Sequence, residues 1–483
     1  MSDAHAAETR LYRVRNCRPL LDGDGSCTLI YDLERTFVIA VPEQFWSRIA
    51  SAGATAELDE PLRTWMKDEG LLTTEPRQGW SDSALEVPPQ VTDVSFDMSG
   101  SCNMGCVYCF EDAIDSRIGR MSDETALAAL DFVFKKSAGA RHVTIHFGSG
   151  EPLLRFDLLC KIVEEANRRA ASEGRTVAYD LTTNATLISR DVAALLRDQP
   201  FNVRVSCDGP AEVHDLFRPM KTGKPSYALV EKGLEVLLEH IPDRLTVNTV
   251  ICGRTRLKDV WRWAKQMGIH HYHVIKVGAY NSRNIGLQQS ERENFCADLE
   301  GICQDMFGNL QAGLRPLDYQ PITKIVRRLM IPQPITRFCG VAGSYLGIAS
   351  NGKIYPCFRH LGLKDHRLGD VHTGVDDGKR VAYLKQEAAD VDSRPICSSC
   401  WARYLCGGGC YADSVVYGPD KRKPQEDHCP FWRIEIETAI RFYHQLRQAD
   451  PSYCFRLFGD DIDRVLADSS GDPLEFLCRM NCS

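Results

Sequence analysis

From Val91 to Val277 the chain alternates short apolar runs with longer stretches whose apolar positions recur at helical spacing. The runs near Val91–Phe96, Val143–Phe147, Val177–Thr183, Asn202–Ser206, Leu245–Ile251 and Tyr272–Val277 predict strands. Between them Thr125–Lys136, Asp157–Arg169, Ser189–Arg197, Tyr227–Glu239 and Leu257–Met267 predict helices, and Ser122 is placed to cap the first of these. Repeated strand–helix units imply a parallel sheet, and six of them imply an α/β fold built on an open, partial (β/α)6 barrel rather than a flat doubly wound sheet.

The flanks read differently. Strand-like runs at Thr28–Tyr31 and Thr36–Val41, then helix-like stretches at Glu43–Ser51 and Pro61–Glu69, suggest a small winged-helix-like module. A polar, proline-bearing linker follows over Thr74–Gln90. After the barrel a helical bridge covers roughly 288–330. From Phe338 the text is rich in Gly and Cys with few periodic segments, which predicts a region that buries little apolar surface and is held together by metal. A helix is expected over Pro430–Arg447. The division expected is 1–90, 91–280, 281–337, 338–430 and 431–483, the last a C-terminal helix and tail.

Length and composition sharpen this picture. A chain of 483 residues exceeds one ordinary core, and 43% hydrophobic with 25% charged residues is globular composition. A net charge of −7 with interspersed signs calls for neither nucleic acid nor an anionic membrane as partner. The N-terminus lacks the order of a secretory signal and no apolar run reaches spanning length, so the expected location is cytoplasmic. Twenty cysteines in such a chain point to metal or redox chemistry rather than disulfides, and ten of them cluster at 102–109, 339–357 and 397–429.

The first cluster, Cys102-Asn103-Met104-Gly105-Cys106-Val107-Tyr108-Cys109, is a CxxxCxxC loop directly after the first predicted barrel strand. Three thiolates on a [4Fe-4S] cluster leave one iron open to a further ligand, and strand C-termini are where barrels of this kind carry their active sites. A zinc site short of one ligand, or buried structural thiols, is the competing reading. From about Ser95 to Val277 the sequence resembles the radical S-adenosylmethionine (SAM) superfamily. The resemblance implies that Cys102, Cys106 and Cys109 hold the catalytic cluster, that SAM chelates its open iron, and that reductive cleavage yields a 5′-deoxyadenosyl radical. Tyr108 matches the family's aromatic residue before the third cysteine, which implies that it lines the adenine site. Ser149-Gly150-Glu151-Pro152 resembles the family's Gly-Gly-Glu-Pro motif, which meets the SAM amino group, with Ser149 in place of the first glycine. Asn184 and Ser206, ending the third and fourth strands, are implied as contacts to ribose or carboxylate.

The remaining cysteines match the seven-cysteine SPASM pattern of radical SAM enzymes that modify peptides and proteins. The match implies one auxiliary iron–sulfur cluster on Cys397, Cys400, Cys406 and Cys429, and another on Cys339, Cys357 and Cys410. Interleaved zinc sites are the chemical alternative. Sulfatase-maturing relatives complete the second set with an eighth cysteine, at a position occupied here by Gln333. The gap falls to a distant residue, Cys303, Cys454, Cys478 or Cys482 being the candidates, or to a substrate thiolate. Those relatives also carry an Asp after the cysteine that corresponds to Cys357, where this chain has Phe358-Arg359; Asp208 and Asp215 are other acids, each with a turn role as its simpler reading.

The expectation is a radical SAM/SPASM maturase acting on a Cys-containing peptide or small protein, with flavodoxin or ferredoxin as electron donor. Thioether formation between cysteine sulfur and carbon, similar to the quinohemoprotein amine dehydrogenase maturation family, leads. Carbon–carbon cross-linking, epimerisation and formylglycine-type sulfatase maturation stand beside it. A silent iron–sulfur scaffold is the reading from a different class. The N-terminal module resembles elements that capture leader peptides along a sheet edge, a plain stabilising extension being the alternative.

Overall fold

The computed structural model describes residues 11–13, 27–33, 36–42, 60–69, 88–112, 119–253, 255–277, 285–331 and 334–459, with Phe45 and Arg48. Most of the Glu43–Ser51 stretch, the linker core, Gln333, Cys478 and Cys482 lie outside these residues.

The six expected barrel strands form as β4 (Asp93–Phe96), β5 (His142–Phe147), β6 (Thr176–Thr183), β7 (Phe201–Ser206), β8 (Leu245–Ile251) and β9 (His271–Lys276), each paired in parallel with the next. A parallel sheet covered on both faces reads as continuous apolar text. Here β5 and β6 alternate instead: Val143, Ile145 and Phe147, and Val177, Tyr179 and Leu181, are buried, while the residues between them are half-buried. Helices cover only the outer face, and the inner face borders a cavity. The covering helices are α2 (Asp123–Lys136), α3 (Phe156–Ser172), α4 (Arg190–Asp198), α5 (Ala211–Phe217), α6 (Tyr227–His240) and α7 (Leu257–Gln266), preceded in the N-terminal module by α1 (Glu60–Asp68). The Ser122 hydroxyl accepts from the Thr125 N–H at 3.1 Å, as the sequence predicts for an N-cap. The short helix α5 was not predicted; its seven residues, under two turns, offer too little period to read.

In the N-terminal module β1 (Leu11–Arg13), β2 (Cys27–Asp32) and β3 (Phe37–Pro42) form an antiparallel sheet, one strand more than expected. Strand alternation gives it two apolar faces. Ile30, Ile39 and Val41 pack with Leu62 and Met66 of α1, while Leu29, Tyr31 and Val38 enter the main core, where the Tyr31 and Trp401 rings meet edge to face at 6.5 Å.

The bridge consists of α8 (Arg292–Gln311), the short strand β10 (Asp318–Tyr319) beside β9, and α9 (Gln320–Met330). The Cys-rich region departs from expectation. β11 (Tyr345–Ile348) pairs in parallel with β4, and β12 (Lys353–Tyr355), β13 (Gly369–Asp370) and β14 (Gly374–Val375) continue antiparallel, so one eleven-stranded sheet runs through both regions. Leu346, Ile348, Ile354, Leu384, Tyr404 and Leu405 of this segment lie in the main core, so it buries apolar surface of its own. Strands this short carry too few alternations to register in the text. The region continues with α10 (Asp377–Gln386), α11 (Arg403–Cys406) and α12 (Tyr411–Tyr417). The expected C-terminal helix is α13 (Cys429–Ala449), which packs on α8 and α9 and leads to α14 (Ser452–Arg456). Among the described residues no helix is long and apolar enough to cross a membrane.

Candidate active site

The loop after β4 is shaped by its own backbone and stitched to neighbouring strand ends. Gly105 and Val107 donate their N–H groups to the carbonyls of Pro219 and Phe217, each at 2.8 Å, and Lys221 donates to Asn103 at 2.9 Å. The Asn184 side chain, at the end of β6, donates to Asn103 Oδ1 at 2.7 Å and lies 3.8 Å from Cys102 Sγ. Cys102, Cys106 and Cys109 therefore stand on a clamped loop at the mouth of the barrel.

Beneath the loop is a buried ionic group that sequence reasoning left to turn structure. Asp208 is fully buried, accepts from the Val250 N–H at 2.9 Å and pairs with Arg218 Nε at 3.0 Å. The Tyr108 hydroxyl donates to the same carboxylate, and the Arg218 guanidinium lies over the Tyr108 ring at 5.2 Å and 3.9 Å from Cys106 Sγ. Burial pushes the Cys106 thiol up, and Arg218 opposes that rise by favouring the thiolate. No local motif marks Arg218; its place depends on where α5 ends.

The implied cofactor residues divide in two. Tyr108, Gly150, Asn184 and Ser206 line the cavity, whereas Ser149 and Glu151 do not. Gly150 has φ +60°, and a Cβ there would stand 2.2 Å from the Ser101 carbonyl oxygen, so only glycine fits this approach. Its N–H donates to Glu111 at 2.7 Å, a cavity-lining carboxylate that sequence reasoning missed. The Glu151 carboxylate is fully buried and accepts from the Asn184 N–H at 2.7 Å, the Thr183 hydroxyl at 2.8 Å and the Leu153 N–H at 3.0 Å. It staples the ends of β5 and β6 together. Burial raises its pKa to about 7 despite the three donors.

All ten cysteines of the two motifs line one cavity of about 1390 Å³. Their mutual fields sort them. Burial raises Cys357 well above an ordinary thiol, and Cys410 and Cys339 raise it further. Burial raises Cys429 to about 12, with Cys406, Cys397 and Cys400 adding to it. Cys102, at about 11, is raised by burial and then by Glu151, Cys106 and Glu111. Cys339 and Cys410 thus stand near Cys357, Cys397, Cys400 and Cys406 near Cys429, and Cys106 near Cys102. The run Gly407-Gly408-Gly409 makes the division, all three at positive φ, turning the chain so that Cys406 joins one set and Cys410 the other.

Around the three-cysteine set, His360 Nδ1 lies 3.0 Å from Cys357 Sγ and its Nε2 lies 2.9 Å from the Tyr383 hydroxyl. Arg359 donates to Cys410 Sγ at 3.2 Å, pairs with Asp413 at 2.7 Å and stacks 4.9 Å over Phe110, the residue after Cys109. Of the candidates for a fourth ligand, Cys303 and Cys454 are buried in the helical core and neither lines the cavity. Among the described residues no group of three or more His, Cys, Asp or Glu side chains is drawn around a single metal-ion position.

The family model of the radical SAM superfamily matches residues 97–267. The barrel is a radical SAM domain. The enzymes of this superfamily use SAM and a [4Fe-4S] cluster, and three thiols on a clamped loop open to a cavity suit a cluster with one vacant iron. Over 340 residues the radical SAM chain is 25% identical to the serine-type anaerobic sulfatase-maturating enzyme of Klebsiella pneumoniae, covering 66% of this chain and 82% of that protein. It is 24% identical over 335 residues to the cysteine-type enzyme of Clostridium perfringens, covering 65% and 86%. The solved structure of native anSMEcpe with bound AdoMet matches 78% of this chain and 98% of that one at 20% identity, with a TM-score of 0.58, a likeness of fold. The chain thus carries a radical SAM domain, and the relatives it resembles are sulfatase-maturating enzymes.

Proposed function

We propose that the enzyme forms thioether cross-links between cysteine sulfur and carbon within a peptide or small protein, in the manner of quinohemoprotein amine dehydrogenase maturation. The observation that carries this reading is the single cavity shared by the Cys102, Cys106 and Cys109 loop and the incomplete set Cys339, Cys357 and Cys410. When bound, the barrel cluster and SAM supply a 5′-deoxyadenosyl radical that takes hydrogen from carbon. Tyr108, Gly150, Asn184 and Ser206 border the space for SAM. Cys397, Cys400, Cys406 and Cys429 are suited to a fully ligated auxiliary cluster, and the three-cysteine set to one with a place for a substrate thiolate. Arg359, against Cys410 Sγ, favours an anionic sulfur there.

For each bond the substrate carbon would give up a hydrogen atom and the substrate thiol a proton, leaving one electron for an auxiliary cluster that Cys339, Cys357 and Cys410 would hold, so the peptide would lose two hydrogens. The matching anSMEcpe structures include one with a bound Cp18Cys peptide, which supports a peptide in the corresponding cavity. Phe358-Arg359 in place of a carboxylate favours thioether formation over sulfatase maturation.

Mass spectrometry of a co-expressed cysteine-rich polypeptide tests the reading: a loss of two hydrogens per bond is expected, and an unchanged mass with active enzyme sinks it. Cys106→Ala is expected to abolish 5′-deoxyadenosine formation while the auxiliary iron remains. Iron analysis is expected to give about twelve atoms per chain, and about four would remove the auxiliary clusters from the scheme.

A further inference from the structure

Below the strand ends the barrel interior carries charge that the proposed chemistry does not use. Arg204 of β7 pairs in register with Thr182 and Thr246 and lies two residues before Ser206, one pleat deeper than the residues that border the space for SAM. Lys324, on the first turns of α9, is exposed into the same cavity. The nearby carboxylates are already engaged. Asp180 lies 2.9 Å from His146 and accepts from Asn202 at 3.1 Å. Asp318 lies 2.9 Å from His271 and accepts from the Thr323 hydroxyl. Lys276, another cation of the cavity lining, is paired with buried Glu435 at 2.6 Å. Arg204 and Lys324 differ: among the described residues neither side chain makes an ion pair or a hydrogen bond.

Asp180 acts on Arg204 and Asp318 on Lys324 through space, but neither carboxylate is bonded to its cation, so both side chains keep their donors for a ligand. Their fields are visible in their neighbours. Burial lowers Lys324 to about 8, with Arg204 lowering it further, and both push His273 down after its own burial does. Their side chains remain open to the cavity, so a ligand carboxylate has somewhere to sit.

We infer that Arg204 and Lys324 form a carboxylate-binding subsite in the barrel floor that holds an acidic group of the polypeptide substrate. This rests on the reading that the cavity takes a polypeptide. Arginine offers a planar fork for both carboxylate oxygens and lysine a point charge beside it. A carboxylate seated there fixes the chain one pleat beneath the cysteine loop, and so decides which substrate carbon faces the radical.

Saturation-transfer NMR on the anaerobic, cluster-loaded full chain tests this with three probes: N-acetyl-L-aspartate N-methylamide, its asparagine counterpart and N-acetylglycine. The aspartate probe is expected to bind about fivefold better than the asparagine one. Arg204→Gln and Lys324→Met should each remove that preference, and Lys324→Arg should keep it. Preference for aspartate over N-acetylglycine assigns a side-chain carboxylate, and the reverse assigns a chain terminus; both support the subsite. Equal binding of the aspartate and asparagine probes to the wild type overturns it, and that comparison does not depend on any variant folding. Equilibrium dialysis of SAM closes the other route: a roughly tenfold loss of SAM affinity in both charge-removing variants would assign the pole to the SAM carboxylate and also overturn it. An unchanged peptide mass with the probe preference intact removes the cross-linking reading alone, and a missing preference with cross-linked product removes the subsite alone.

Discussion

Breaking the Asp208–Arg218 pair should loosen the cysteine loop before it unfolds the barrel. The carboxylate is fully buried, Arg218 is nearly so, and the two meet at 3.0 Å. Removing one partner of such a pair costs ~3–5 kcal/mol, chiefly because the other charge is left buried, whereas replacing both by neutral groups is often close to neutral. Asp208→Asn retains an acceptor for the Val250 N–H but strands Arg218, and Arg218→Met strands Asp208. Each single variant should lose ~3 kcal/mol locally, and the double variant should lose no more than either, a coupling of at least ~3 kcal/mol. The loop reports this through the Gly105 and Val107 amides, whose acceptors Pro219 and Phe217 flank Arg218. A local loss of ~3 kcal/mol should speed their hydrogen exchange about a hundredfold in the singles, and the double should return towards wild type. Additive effects in the double, or singles that exchange like the wild type, would show that the pair does not hold the loop.

Glu151 should make the enzyme less stable as pH rises. Its pKa goes from 4.5 up to about 7 on folding, so the folded state binds the proton more tightly, and the cost of its charge is absent below pH 4.5, grows to pH 7 and then levels at ~3 kcal/mol. In Glu151→Gln that slope should vanish from a pH series of thermal unfolding, leaving ~1–3 kcal/mol for an amide N–H that faces the Asn184 N–H; an unchanged slope would refute the assignment. Gly150→Ala must move the Ser101 carbonyl, which also accepts from the Glu151 N–H at 2.9 Å. A loss of ~2–4 kcal/mol and lower iron per chain are expected, and normal iron with an unshifted melting temperature would show that the loop accommodates a side chain there.

Much of the barrel was legible because its period is written locally. Each of β4 to β9 buries one face under a helix, so alternation and helical spacing survive in the text, as does the Ser122 cap. The short pieces β10 to β14 and α5 were not legible, since they hold too few residues to show a period and are set by pairing with a distant edge, β11 against β4 above all. The N-terminal sheet was half legible: its strands show, but not that Leu29 and Tyr31 face the main core beside Trp401. A deletion of residues 1–90 would therefore expose core surface as well as remove the module.

By itself the sequence determined where the thiols gather along the chain, because loop spacing is a local property, and it determined the βα repeat that carries the first loop. Only the tertiary structure decided which thiols share a field, that Glu151 is spent on a staple while Glu111 takes a place at the cavity, and that Asp208 and Arg218 underlie Cys106. Those facts depend on electrostatics, which acts through space and is indifferent to chain separation. The same holds for Arg204 and Lys324, unremarkable in sequence and notable only because the fold brings them to one cavity wall while Asp180 and Asp318 are bonded to other side chains.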